Sequence, residues 1–147
     1  MIVLSVGGGG SSAVWWRGCS AVLAVETLGA SSFAQSVAAG QRIVLPTITS
    51  VATSLGARQV SEHAFALTSK HHIDCAVVSD LQAVDACFRS LDGHRILVEP
   101  VCGASLAAIY DNTEQIDGWM NIMVIVCGGI TSTSEQLQAW KQDLSGG

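Results

Sequence analysis

Apolar and polar positions alternate along this chain in short blocks. Residues 2–6 form an apolar, largely β-branched run that predicts a strand and stops at four consecutive glycines, Gly7, Gly8, Gly9 and Gly10. A helix is predicted within residues 11–18, then a second apolar strand over 21–25 that ends at Glu26. Residues 32–39 read as a helix with Gly40 as its C-terminal stop. Residues 43–45 predict a short strand closed by Pro46, residues 49–55 a helix ended by Gly56, and residues 59–60 the start of a small strand. Ser61 caps a helix predicted through Lys70, and residues 74–78 form the next strand. Ser79-Asp80-Leu81-Gln82 has the Ser-x-x-Gln form of a capping box. Leu81, Val84, Cys87, Phe88 and Leu91 follow at helical spacing, with Gly93 as the stop. Residues 95–98 predict a strand ended by Glu99-Pro100, residues 103–110 an Ala-rich helix, and residues 122–126 a strand meeting Cys127-Gly128-Gly129. Ser134 caps a last amphipathic helix with Leu137, Trp140, Lys141 and Leu144. Strands alternating with helices predict an α/β fold, a mostly parallel sheet with flanking helices.

The 147 residues suit one domain, with no repeat, linker or low-complexity tract. The chain is 49% hydrophobic and only 13% charged, against a typical charged share of about 25%. Its mean hydropathy is +0.43. So few charges fit a densely buried α/β core, or a surface covered by missing chain or a partner. The net charge is −5, and the seven Lys and Arg form no cluster, which argues against nucleic acid or an anionic membrane as partner. Five cysteines with no Cys-x-x-Cys read as reduced thiols in a cytoplasmic protein. No apolar run approaches the about 18 residues of a membrane span, and no signal peptide is indicated. A glycine loop at residue 7, directly after the first strand, reads as a chain opened in mid-fold.

In parallel sheets, ligands sit outside the carboxyl ends of the strands. Gly7–Gly10, Glu26 and Cys127-Gly128-Gly129 all fall at predicted strand ends. Each glycine costs roughly 0.5–1 kcal/mol of backbone entropy relative to alanine, a cost a fold accepts where main-chain N–H groups must cradle a phosphate. A dinucleotide fold is the second reading: Gly7, Gly9 and Glu26 fit it, but its third glycine would fall at Ser12. Glu26 is the best carboxylate candidate, either as a cation ligand completed by loop carbonyls or as a solvated strand terminus. Cys127 is either a buried structural cysteine or a thiol bonded to a heteroaromatic nitrogen of a cofactor. His71, His72, Asp74 and Cys75 resemble a metal cluster only superficially and read as a loop before a strand. Lys70 and Lys141, the only lysines, read as surface residues, and Trp15, Trp16 and Arg17 mark no site.

Five ordered motifs, IVLSVGGGG at 2–10, VETLGASSF at 25–33, LPTITSVATSLG at 45–56, ILVEPVCGASLAA at 96–108 and VIVCGG at 124–129, resemble the C-terminal half of L-serine dehydratases. These are fold-type-II pyridoxal-phosphate enzymes related to the tryptophan synthase β chain. The resemblance spans nearly the whole of residues 1–147, as the C-terminal part of a catalytic domain. It implies that Gly7–Gly10 bind the phosphate of pyridoxal 5'-phosphate, and that Cys127, beside Gly128, bonds the pyridine nitrogen. It implies a monovalent cation, potassium, held by Glu26, Ala30 and the carbonyls of Leu55 and Ala57, with Ser32 close enough to join the shell. The implied reaction converts L-serine to pyruvate and ammonia, with L-threonine as second substrate, in a homodimer. The family's Schiff-base lysine and its Ser-x-Gly-Asn loop lie upstream of everything in this sequence, and neither Lys70 nor Lys141 lies in a matching motif. The stretches between Gly10 and Ala21 and between Asp111 and Ile122 are shorter than the family's. The expectation is therefore a dehydratase-like chain that is inactive alone. A Rossmann-type NAD-binding oxidoreductase and a non-catalytic fragment are the alternatives.

Overall fold

A computed structural model describes residues 1–7 and 21–146. Strand β1 (Ile2–Ser5) pairs on one side with β2 (Val22–Thr27) and on the other with β4 (Met123–Val124), and β2 pairs onward with β3 (Ile73–Val78). All three pairings are parallel, in the order β3-β2-β1-β4. The predicted α/β class with a parallel sheet and flanking helices is what forms.

Side chains alternate between two apolar layers, as the period of two in a strand requires. Ile2, Leu4, Val6, Val22 and Ala24 face helices α1 (Ser32–Ala39) and α2 (Glu62–Leu67) through Phe33 and Ala64. Val3, Leu23, Val25, Ala76 and Val78 face α3 (Asp80–His94) and α4 (Pro100–Tyr110) through a run of alanines. A further layer packs α5 (Ser134–Ser145) on α3 and α4 through Leu137, Val84, Cys87 and Cys102. The α3–α4 crossing is close enough to need a glycine: a Cβ on Gly103 would lie 2.1 Å from the Ala83 carbonyl oxygen.

Some local signals in the sequence are realised, while Gly93, expected as a stop, lies inside α3. Gly40 ends α1 at φ 64°, and both halves of the Ser79–Gln82 capping box open α3. Thr133 rather than Ser134 caps α5, its hydroxyl accepting the Gln136 N–H. The strand expected over 43–45 is absent: Ile43 donates its N–H to the Ser36 hydroxyl and Leu45 to the Arg58 carbonyl, so no ladder forms. The helix expected over 49–55 shrinks to one turn, Thr53–Leu55. Thr49 and Val51 spend their N–H groups on the Gly29 carbonyl and the Asp80 carboxylate instead. No strand forms over 59–60 or 95–98. Arg95 takes the left-handed conformation that ends α3 (φ 61°), and Pro100 starts α4 at its first turn rather than closing a strand. The last strand is regular only at Met123–Val124, although the Ile125 N–H still reaches the Val3 carbonyl. The helix expected within 11–18 lies outside the described residues.

Candidate functional site

The chain runs from β1 outward through β2 to β3, then returns past both to place β4 on the far side of β1. That reversal makes the carboxyl ends of β1 and β4 the switch point of the sheet, where parallel α/β folds open a ligand crevice. Gly7 follows β1 after Val6, and Cys127 and Gly128 follow β4 after two residues. A Cβ on Gly7 would lie 3.0 Å from the Ser54 carbonyl oxygen and 3.4 Å from Leu55 Cα, so the entry to the glycine loop runs along the turn that carries Leu55. Gly8, Gly9 and Gly10 lie outside the described residues.

Glu26 sits on β2 on the α1 side and is 0% exposed, not a solvated strand terminus. Its two oxygens accept the N–H groups of Phe33 (3.0 Å) and Ala34 (2.8 Å), which satisfies free donors in the first turn of α1. Burial nevertheless pushes its carboxyl from the ordinary 4.5 up to about 7, with those two hydrogen bonds pulling the other way. The Ser32 hydroxyl, also fully buried, has no hydrogen-bond partner among the described residues. Ala30 and Leu55 are packed together in one small apolar cluster, and the Leu55 carbonyl accepts the Ala57 N–H at 2.7 Å. Gly29 permits this approach: a Cβ there would lie 2.5 Å from both the Ser50 nitrogen and the Thr49 hydroxyl. Each Glu26 oxygen keeps an acceptor position beyond its single N–H bond.

A second polar device at these strand ends was not legible in the sequence. Thr27 donates to the Ser50 hydroxyl (2.7 Å), and Ser50 donates to Asp80 (2.6 Å). The other Asp80 oxygen accepts the Val51 N–H at 3.1 Å. This chain of bonds straps residues 49–52 across the ends of β2 and β3. Asp80 reads in sequence only as an acidic residue in the first turn of a helix, and its partners lie 29 and 30 residues earlier in the chain.

Cys127 is exposed rather than a buried structural cysteine. Its backbone N–H donates to the Cys102 sulfur at 3.2 Å. Its loop is held at two further points on the approach to α4: the Gly128 carbonyl accepts the Glu99 N–H, and Thr131 donates to the Glu99 carboxylate. A Cβ on Gly129 would lie 2.3 Å from the Leu97 carbonyl oxygen, so that glycine lets the loop press flat against residues 97–98.

The remaining candidates stay out of the site. Lys70 is exposed at the opposite end of the sheet, just before β3. Lys141 bonds Asp85 at 2.6 Å and lies over the Phe88 ring. His72 pairs with Asp74 on the surface, and no His, Cys, Asp and Glu cluster among the described residues could hold a metal ion. No helix among them is long and apolar enough to cross a membrane. Trp15, Trp16 and Arg17 lie outside the described residues.

Residues 1–128 match the family model described as pyridoxal-phosphate dependent enzyme. The L-serine dehydratase/L-threonine deaminases of Bos taurus and Homo sapiens are each 42% identical to the chain over 159 residues, covering 97% of it and 48% of their own length. Among solved structures, a fungal L-serine ammonia-lyase from Rhizomucor miehei superposes with a TM-score of 0.84 at 29% identity, over 96% of this chain and 49% of that one. Maize serine racemase superposes with a TM-score of 0.81 at 26% identity, over 97% and 48%. The chain spans about half the length of the curated relatives it matches. The 159 aligned positions exceed its own 147 residues, so those relatives carry residues within the matched stretch that this chain lacks.

Proposed function

The chain belongs to the family of pyridoxal-phosphate-dependent enzymes, and from that membership we propose that it carries the phosphate, ring-nitrogen and cation contacts of an L-serine dehydratase-like active site. The observation that carries the reading is placement: Gly7 and Cys127 flank the switch point of the sheet, with the buried Glu26 carboxylate at the next strand end. Main-chain N–H groups of Gly7–Gly10 hold the cofactor phosphate, where a side chain would strike the Ser54 carbonyl already at the first glycine. The exposed Cys127 thiol meets the ring nitrogen as a neutral partner, so that nitrogen is not forced to carry a proton.

Potassium is held by Glu26, Ser32 and the carbonyls of Ala30, Leu55 and Ala57. Support for it is the buried Ser32 hydroxyl, without a hydrogen-bond partner among the described residues, just before the Phe33 and Ala34 N–H groups that hold the buried Glu26 carboxylate. Pyridoxal phosphate, when bound, supplies the electron sink for eliminating water from L-serine, with L-threonine as second substrate. The complete enzyme is a cytoplasmic homodimer of the tryptophan synthase β type; free thiols at the four described cysteines suit that setting. Neither lysine of this chain reaches the site, so the base that takes the substrate α-proton is not among its residues.

Equilibrium dialysis tests the reading. The chain is expected to retain pyridoxal phosphate in potassium buffer, Gly7→Val and Cys127→Ala to retain less, and none of them to release pyruvate from L-serine. Retention of NAD in place of pyridoxal phosphate would show the reading to be wrong.

A further inference from the structure

We propose that Cys102 and Cys127 are a disulfide-forming pair, closed when the chain meets a small disulfide oxidant such as oxidised glutathione. The geometry is the starting point. With an N–Cα bond of about 1.46 Å, the 3.2 Å contact from the Cys127 nitrogen puts Cys127 Cα within about 4.7 Å of the Cys102 sulfur. Disulfides ask for Cα atoms roughly 4.4–6.8 Å apart, a separation this contact allows without fixing it. One partner rides on α4 and the other on a loop whose torsions can adjust, so closure asks little of the helix.

Access and reactivity select this pair among the described thiols. Cys127 is exposed, while Cys87 and Cys102 are 0% and 2% exposed, so an oxidant in solution meets Cys127 first. Burial pushes the Cys75 and Cys87 thiols up to about 12, which leaves them almost no thiolate. Burial raises Cys102 too; the backbone N–H groups of Cys127 and Gly128 favour its thiolate, while charge on Cys127 or Glu99 works against it. An exposed thiol beside a buried second thiol is the arrangement of a reversible redox pair.

The chemistry balances in two exchanges. The Cys127 thiolate attacks one sulfur of the small disulfide; that S–S bond breaks and one small thiolate leaves with the electron pair. The Cys102 thiolate then attacks the Cys127 sulfur and expels the second small thiolate. Two protein thiols are oxidised, one small disulfide is reduced, and the two protons go to the departing thiolates. The consequence rests on the cofactor reading above: a Cys127 sulfur bound to Cys102 has no S–H left for a ring nitrogen.

The test oxidises the full chain with oxidised glutathione and maps its peptides by mass spectrometry without reduction. A Cys102–Cys127 cross-link with a thiol titre falling from five to three is expected, and Cys102→Ser should stop at a glutathione adduct on Cys127. An unmutated chain that stops at that adduct, links Cys127 elsewhere or links Cys87 to Cys102 overturns the proposal. Dialysis separates the two readings. Retention of pyridoxal phosphate that is lost on oxidation and regained on reduction supports both. If the reduced chain retains none, the cofactor reading fails, and the cross-link stands or falls on its mass alone.

Discussion

Glu26 and Cys127 stand at the ends of two strands of one sheet, yet they are built by opposite means. Glu26 rides on a six-residue strand that is buried throughout, and the first turn of α1 grips both its oxygens. Cys127 follows a two-residue strand and stays exposed, held by one sulfur contact and by the grip of Glu99 on its loop. The first shoulder of the site is preformed by the core. The second takes its shape from loop contacts, and its stability is local rather than global.

Breaking the preformed shoulder should cost most. Glu26→Ala leaves a cavity and two N–H donors without partners and is expected to cost about 4 kcal/mol, read by urea unfolding at pH 7. If the cost is near zero, the shoulder is not preformed. A pH series sharpens the same point. The Glu26 carboxyl is raised from 4.5 to about 7, so between those values the unfolded chain gives up its proton first. Stability therefore falls as pH rises through that window, by about 3 kcal/mol at most, and levels off above it. The difference between the unmutated chain and Glu26→Gln isolates this slope. Potassium beside Glu26 should flatten it, by favouring the charged form.

The looser shoulder should respond less in stability and more in local exposure. Gly129→Ala drives a Cβ against the Leu97 carbonyl and is expected to cost about 2 kcal/mol. It should also change the rate at which Cys127 is alkylated, because the loop must lift. Thr131→Val removes an exposed bond to Glu99 and should cost less than about 0.5 kcal/mol in thermal unfolding. A larger loss would place the Cys127 loop inside the core's cooperative unit.

The contrast also explains what was readable before the fold was known. The capping box at Ser79–Gln82 and the left-handed stop at Gly40 need only neighbours three or four residues away, and both formed as read. Glu26 was found because an acid ending an apolar strand stands out, but its two N–H partners were not, because they depend on where α1 docks. Residues 43–45 and 95–98 have strand-like composition but no ladder partner, a fact settled by residues far along the chain. Ser50 and Asp80 lie 30 residues apart, and no spacing rule links them. The contact between Cys102 and Cys127 spans 25 residues and is equally silent in the sequence. The switch point itself was invisible, since the order of strands is not written in their pattern.

The sheet order carries a further meaning for how the molecule is made. β1 pairs with β2 some twenty residues on, but its other edge pairs with Met123 and Val124, and the N-terminal amine reaches the Asn121 carbonyl 120 residues away. Of the four strands β1 is synthesised first and completed last, since contacts so distant along the chain form slowly. Until residue 124 is out, the side of β1 that takes β4 is an unpaired parallel edge, open to other strands. Chaperone dependence during synthesis should therefore end abruptly when that short strand clears the tunnel, rather than declining in step with length.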